Sequence, residues 1–164
     1  MSLRRLTVLG GRDPAARAEH LEAATRLGAL LAENGITLVC AGGTQGPIGA
    51  LAAAVRAAEG RAMEAASEEL GELGDGFLAL PGGPLTLEQV FATGLPERGG
   101  DGKPCGLLNT ADYFSDLLKA EADPMLERFA RETQRGRLIV ERDPAVLLRA
   151  LADYRPPETR RQFA

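Results

Sequence analysis

An α/β fold, a Rossmann-like doubly wound parallel sheet with helices on both faces, is what this sequence of 164 residues predicts, on three observations. Short apolar runs alternate with longer segments of helical spacing, the strand-then-helix order of a parallel sheet. The runs are apolar at successive positions rather than alternate ones, as in strands covered on both faces. Aromatic residues make up only 4% of the chain and Trp is absent, while Ala and Leu abound, which favours helices packed on a sheet over an aromatic-rich sandwich. The length suits one well-buried domain and not two.

The elements follow in order. Arg5 to Leu9 (RLTVL) is a strand ending in Gly10-Gly11. Ala15 to Glu33 repeats apolar residues at helical spacing and stops at Asn34-Gly35, a natural C-cap. Ile36 to Cys40 is a second strand, followed by AGGTQGPIG and an alanine-rich helix to Ala58. Gly76 to Leu80, Cys105 to Asn109 and Arg137 to Glu141 are three further strands, with helices expected at Thr86 to Thr93, Asp112 to Gln134 and Pro144 to Tyr154. Gly60 to Asp75 holds helix formers and no β-rich run, so a helix or loop is expected where a full Rossmann half has another strand. Gly94 to Lys103 reads as a mobile glycine-rich loop. The domain spans residues 1–154, and 155–164 form a flexible tail.

Composition narrows the function. A net charge of −4 argues against a nucleic-acid partner, and the Arg160-Arg161 pair reads as a solvated end. No segment approaches the roughly 20 apolar residues that span a bilayer, and no signal-peptide pattern opens the chain, so a cytoplasmic protein without a membrane partner is expected. Cys40 and Cys105 sit in or beside hydrophobic runs and read as buried free thiols. His20 is the only histidine and lies in a charged stretch, which excludes a His-based triad and a multi-histidine zinc site. Chemistry must then come from carboxylates, arginines and backbone dipoles, and no metal or cofactor is expected.

Three glycine-bearing turns follow strands. Gly42-Gly43-Thr44-Gln45-Gly46-Pro47-Ile48-Gly49 lets backbone approach an anion at the start of a helix, whose unpaired N–H groups and positive dipole end favour negative charge. Read plainly, it is a tight turn with Gly49 allowing close packing. Pro81-Gly82-Gly83-Pro84-Leu85-Thr86 is a second such turn, with Thr86 able to cap the next helix or donate to a phosphate. The third is Gly10-Gly11-Arg12-Asp13, where Arg12 can pair with a phosphate and Asp13 can contact a ribose hydroxyl or cap a helix beginning at Pro14. All three fall at one edge of a parallel sheet, where open α/β folds bind ligands. The expected binding residues are Gly11, Arg12, Gly42, Gly43, Thr44, Gly46, Gly49, Gly82, Gly83 and Thr86.

These segments resemble the LOG family, the cytokinin-activating phosphoribohydrolases also labelled possible lysine decarboxylases. LVCAGGTQGPIGALAAAV is similar to the family's LVYGGGxxGLMGxVAxA, FLALPGGPLTLEQV to FIALPGGxGTxEEL, and KPCGLLNTADYFSDLL to KPxxLLNxxGYYDxLL. The resemblance implies a Rossmann-like homodimer that binds a nucleoside 5′-monophosphate such as AMP, with its phosphate on the two glycine loops. It also implies hydrolysis of the bond between base and ribose 5-phosphate, through an oxocarbenium-like state that a carboxylate and an arginine or acid assist.

The sequence departs from the pattern at the catalytic positions. The family's final Glu falls on Gln89, and the neighbouring Glu88 points about 100° away around the helix. The family's MxxRKxxM helix has only Arg61-Ala62-Met63 as an echo, and its preceding strand and loop have no counterpart. Leu85 replaces a glycine of the phosphate turn and Pro84 offers no N–H, while Thr86 and Gln89 form a capping box. The expectation is nucleotide binding with hydrolysis weak or lost. One alternative keeps hydrolysis through Glu88 or through Arg98 of the 94–103 loop. Another is a non-catalytic carrier of a larger phosphate-bearing cofactor such as molybdenum cofactor.

Overall fold

Successive residues of the first strand serve opposite faces: Leu6 and Val8 point to one core, Thr7 and Leu9 to the other. That division holds across the sheet and requires a layer of helices on each side. The computed structural model describes residues 2–82, 84–90, 92, 102–120, 127, 131 and 136–156. Its elements are β1 (Arg5–Leu9), α1 (Ala18–Glu33), β2 (Thr37–Cys40), α2 (Gly46–Ala57), β3 (Ala62–Glu64), α3 (Leu70–Leu73), β4 (Gly76–Ala79), α4 (Pro84–Gln89), β5 (Cys105–Leu108), a 3-10 turn (Thr110–Asp112), α5 (Tyr113–Ala120), β6 (Leu138–Glu141) and α6 (Pro144–Asp153).

The six strands are all parallel, in the order β3-β2-β1-β4-β5-β6. Strands one to three build outward in one direction and four to six in the other, so the order reverses between β1 and β4. This is the doubly wound Rossmann arrangement, and its reversal opens a crevice at the carboxyl ends of those two strands. On one face Leu6, Leu38, Leu78 and Leu108 pack under α1, α2 and α6. On the other, Leu9, Val39, Phe77 and Leu107 pack under Leu70 of α3, Val90 and Phe114 of α5. Cys40 and Cys105 are free, buried and on opposite faces.

The segment read as a helix or loop contains a strand. Ala62–Glu64 pairs with β2 in the register Leu38↔Ala62 to Cys40↔Glu64, and is followed by the short helix α3. Leu38 N–H donates to the Arg61 carbonyl at 2.9 Å, and Ala65 N–H donates to Cys40 at 2.9 Å. Met63 and Glu64 are exposed. An edge strand of three residues with solvent on its outer side needs neither β-branching nor an apolar run, so the signal sought in the sequence was never required.

Three helix starts also differ from the sequence reading. α1 begins at Ala18, because Asp13 closes a separate turn: its carboxylate accepts from Ala15 N–H at 2.9 Å and its carbonyl from Ala16 N–H at 3.2 Å. α4 begins at Pro84, a residue pre-set for the first helical position, so Thr86 lies inside the first turn and not at the cap, and the Thr86–Gln89 capping box does not form. Asp112 has φ +56°, so α5 starts one residue later, at Tyr113. Most of the expected 94–103 loop, most of the second half of the 112–134 helix and the tail from 157 lie outside the described residues.

Candidate functional site

β1, β4 and the start of α2 are stitched together at the crevice by backbone. Leu80 N–H donates to Leu9 at 2.7 Å, Gly11 N–H to Pro81 at 3.2 Å, and Ile48 N–H to Gly11 at 3.2 Å. The glycines make this closeness possible. A Cβ on Gly11 would lie 2.9 Å from Gly82 Cα and from the Pro81 carbonyl oxygen; one on Gly82 would overlap the Thr86 hydroxyl and come 2.6 Å from Gly11 N. Gly42, Gly43 and Gly46 have φ of +88°, +122° and +67°, the left-handed region that side chains strain. Gly49 packs its α-carbon face on the Thr44 carbonyl.

A cleft of about 630 Å³ opens over this junction. Gly11, Arg12, Asp13, Pro47, Pro81 and Gly82 line it, together with Arg17 at the N-cap of α1, His20 of α1, Ala111, Tyr113 and Asp116. Arg12 donates through Nη2 to the Ala41 carbonyl at 3.4 Å and lies over Gly43, so its guanidinium is tied to the glycine loop. Gly42 is buried, Gly43 and Thr44 are exposed, and Thr86 is buried against Gly82. The structure therefore gathers Gly11, Arg12 and Gly82 in the cleft, with Gly42, Gly43, Thr44, Gly46, Gly49 and Thr86 in the loops and turns behind it. Gly83 and Arg98 lie outside the described residues. Glu88 and Gln89 are both exposed on α4 and are not among the residues lining the cleft.

The lining from α1 and α5 is not in the sequence reading. His20, although it lies in a charged stretch, is 5% exposed, and its ring meets Tyr113 edge-on at 5.2 Å. Burial pulls its pKa below the ordinary histidine value, outweighing a hydrogen bond with the Thr110 backbone and the charge of Glu19. The imidazole is therefore neutral at neutral pH. Helical spacing carries the signal that locates it: His20, Ala24, Leu27 and Leu31 share the buried face of α1.

The adjoining turn is conformationally costly. Ala111 (φ +53°) and Asp112 (φ +56°) are both left-handed without being glycine, and the resembling family pattern has glycine at the position of Asp112. Asp112 is held by the Arg142 guanidinium, and Asn109, buried below, accepts from Phe114 N–H at 2.8 Å and donates to Ser115 Oγ at 3.0 Å. Thiol chemistry has no place here: both cysteines are buried, and burial pushes Cys105 up to about 12. Among the described residues, no three His, Cys, Asp or Glu side chains gather as a metal site, and no helix is long and apolar enough to cross a membrane.

Comparison with known proteins agrees with the fold. A probable cytokinin riboside 5′-monophosphate phosphoribohydrolase of Oryza sativa subsp. japonica is 31% identical, over 94% of this chain and 74% of the relative. A cytokinin riboside 5′-monophosphate phosphoribohydrolase of Arabidopsis thaliana is 28% identical over 93% and 83%. Among solved structures, the molybdenum cofactor carrier protein of Chlamydomonas reinhardtii superposes with a TM-score of 0.69 at 20% identity, covering 91% of this chain and 96% of that one. The molybdenum cofactor binding protein of Rippkaea orientalis gives 0.66 at 20% identity over 91% and 95%; at such identities the likeness is one of fold. Residues 50–151 match the family described as Possible lysine decarboxylase, and with the plant relatives this places the chain in that family, as a LOG-like member.

Proposed function

We propose that the cleft binds a nucleoside 5′-monophosphate or a similar phosphorylated small molecule, and that hydrolysis of its N-glycosidic bond is weak or lost. The observation that carries this is the convergence, at the reversal between β1 and β4, of three glycine-bearing turns with Arg12 lying over one of them. Backbone N–H groups at helix starts and a guanidinium fork are the groups that hold a phosphate. The plant relatives are phosphoribohydrolases of cytokinin riboside 5′-monophosphates by name, which fits a phosphate in that place.

Loss of hydrolysis rests on the catalytic positions. Glycosidic cleavage needs a carboxylate within reach of the ribose carbon or of its attacking water. The family's carboxylate position carries Gln89, exposed and away from the cleft lining, and Glu88 beside it is exposed as well. Among the described residues, the carboxylates that line the cleft are Asp13, whose Oδ1 is taken by Ala15 N–H, and Asp116.

Calorimetric titration with AMP, followed by chromatography of the same sample for free adenine, tests both halves. Saturable binding without adenine is expected, and Arg12→Ala should weaken it roughly tenfold to a hundredfold, as loss of a hydrogen-bonded charge does. Absence of AMP binding overturns the nucleotide reading; adenine release overturns the claim of lost hydrolysis. A second reading, a carrier of a larger phosphate-bearing cofactor, is favoured by the cleft's volume of about 630 Å³, enough for a ligand bulkier than a mononucleotide. It gains ground if phosphate binds and AMP does not.

A further inference from the structure

His20, a residue of the cleft lining, carries an unmet hydrogen-bonding atom. Its Nε2 is buried and without a partner, while the ring as a whole has a hydrogen bond with the Thr110 backbone. That bond must then run through Nδ1, and because it favours the protonated ring it is a donation, Nδ1–H to a carbonyl. The tautomer is thereby fixed, and Nε2 is left with a lone pair and no proton. A buried polar atom without a partner is costly enough that native proteins seldom keep one without a reason.

The surroundings show that this atom is held in place rather than left over by chance. His20 lines the same cleft as Gly11, Arg12 and Gly82, and its ring is met edge-on by Tyr113. The turn it bonds to, Thr110–Asp112, keeps two non-glycine residues in the left-handed region, and Ala111 of that turn also lines the cleft. Thr110 Oγ1 is buried at the same joint and also lacks a partner. Among the described residues, the charged groups about His20 and the cleft are Arg17 at the N-cap of α1, Glu19 in its first turn, Arg12 and Asp13 from the loop after β1, and Asp116 from α5.

We infer that His20 Nε2 is a specificity-determining acceptor, receiving a hydrogen bond from a donor on the part of the ligand beyond its phosphate, a sugar hydroxyl or an exocyclic amine. This rests on the reading of the cleft as a phosphorylated-ligand site and adds to it. The phosphate meets the glycine turns and Arg12, and the neutral imidazole reads the rest of the molecule. The monoester phosphate dianion of such a ligand cannot satisfy this atom, because it offers acceptors and no donor.

With a single histidine in the chain, the imidazole nitrogens give one set of signals in a long-range proton–nitrogen correlation spectrum. At about pH 7.5 the free protein is expected to show the Nδ1-protonated tautomer. Saturation with AMP should move the Nε2 signal toward the hydrogen-bonded position, and methyl phosphate, at this pH mainly a monoester dianion without a donor, should leave it in place. Ribose 5-phosphate reproduces the shift if the donor is a sugar hydroxyl. If the donor is the exocyclic amine, AMP shifts the signal and both ribose 5-phosphate and inosine monophosphate fail to do so. His20→Phe, which keeps a ring against Tyr113, should weaken AMP about tenfold and leave the affinity for methyl phosphate unchanged.

AMP bound with an unmoved Nε2 signal overturns this inference alone, and shows that the atom is satisfied within the protein, through Thr110 or a water. The same holds if His20→Phe folds and binds AMP as the wild type does. No heat from AMP overturns the nucleotide reading and this inference with it. The wild-type spectrum decides by itself if the variant does not fold.

Discussion

A methyl group added at Gly46 has no room. Its Cβ would lie 2.6 Å from the Arg12 carbonyl carbon and 2.7 Å from Asp13 N, and the residue's φ of +67° is left-handed. Gly35, after α1, has nearly the same φ, +66°, but open space around it. The pair separates two costs. Gly35→Ala should lose about 1 kcal/mol from backbone strain alone. Gly46→Ala should lose about 3 kcal/mol, because the loop after β1 must also move. Urea denaturation of the two variants checks the difference, and equal losses would mean that the Arg12 loop yields freely. The same scale shows what a sequence can and cannot disclose. The glycines of the turns at the cleft are legible because a positive φ or a close backbone approach demands that residue type. His20 was obscured by its charged neighbours, although its spacing from Ala24 and Leu27 already puts it on the buried stripe of α1.

Elements differ in how strongly their own residues specify them. α6 is defined locally: Pro144 opens it, and the Asp143 carboxylate accepts from Ala145 N–H at 2.8 Å and Val146 N–H at 3.1 Å. The Val146 N–H and then the Arg26 guanidinium, at 2.7 Å, hold that carboxyl below the usual carboxylate range. A carboxyl whose folded pKa is depressed stabilises the fold above its unfolded pKa, and the stabilisation is lost as pH falls through the folded value. Asp143→Ala should therefore cost about 1 kcal/mol near neutral pH, the loss of a cap. The gap between variant and wild type should close as pH falls below about 4, where the free carboxyl begins to protonate. Denaturation curves across that range check both, and a gap that persists in acid would show that packing, not the charge, carries the effect. β3 stands at the other extreme. Ala-Met-Glu has no strand preference of its own, and only the exposed edge of β2 makes it one, so no reading of local pattern could have placed it.

At the scale of the molecule, the doubly wound sheet was legible because buried parallel strands are written as unbroken apolar runs, and the β1–β4 crevice follows from the glycine turns that end those strands. The cleft lining from α1 and from the turn before α5 was not legible, since the two meet only in the folded chain. This bears on the proposed loss of hydrolysis and on whether one substitution reverses it. Gln89→Glu returns a carboxylate to the family's position, but on an exposed side chain outside the cleft lining, and next to Glu88, which already offers a carboxylate. A general base contributes its usual factor of about a hundred or more only within hydrogen-bonding reach of the reacting atoms. Nor does it supply the acid that the departing base requires. Gln89→Glu is therefore expected to bind AMP as the wild type does and to release adenine within about twofold of it, a change too small for a positioned base. Chromatography over a long incubation measures this directly. A rise of about a hundredfold would mean that α4 brings position 89 to the ribose when ligand is bound, and that this chain lacks a single carboxylate rather than a catalytic site.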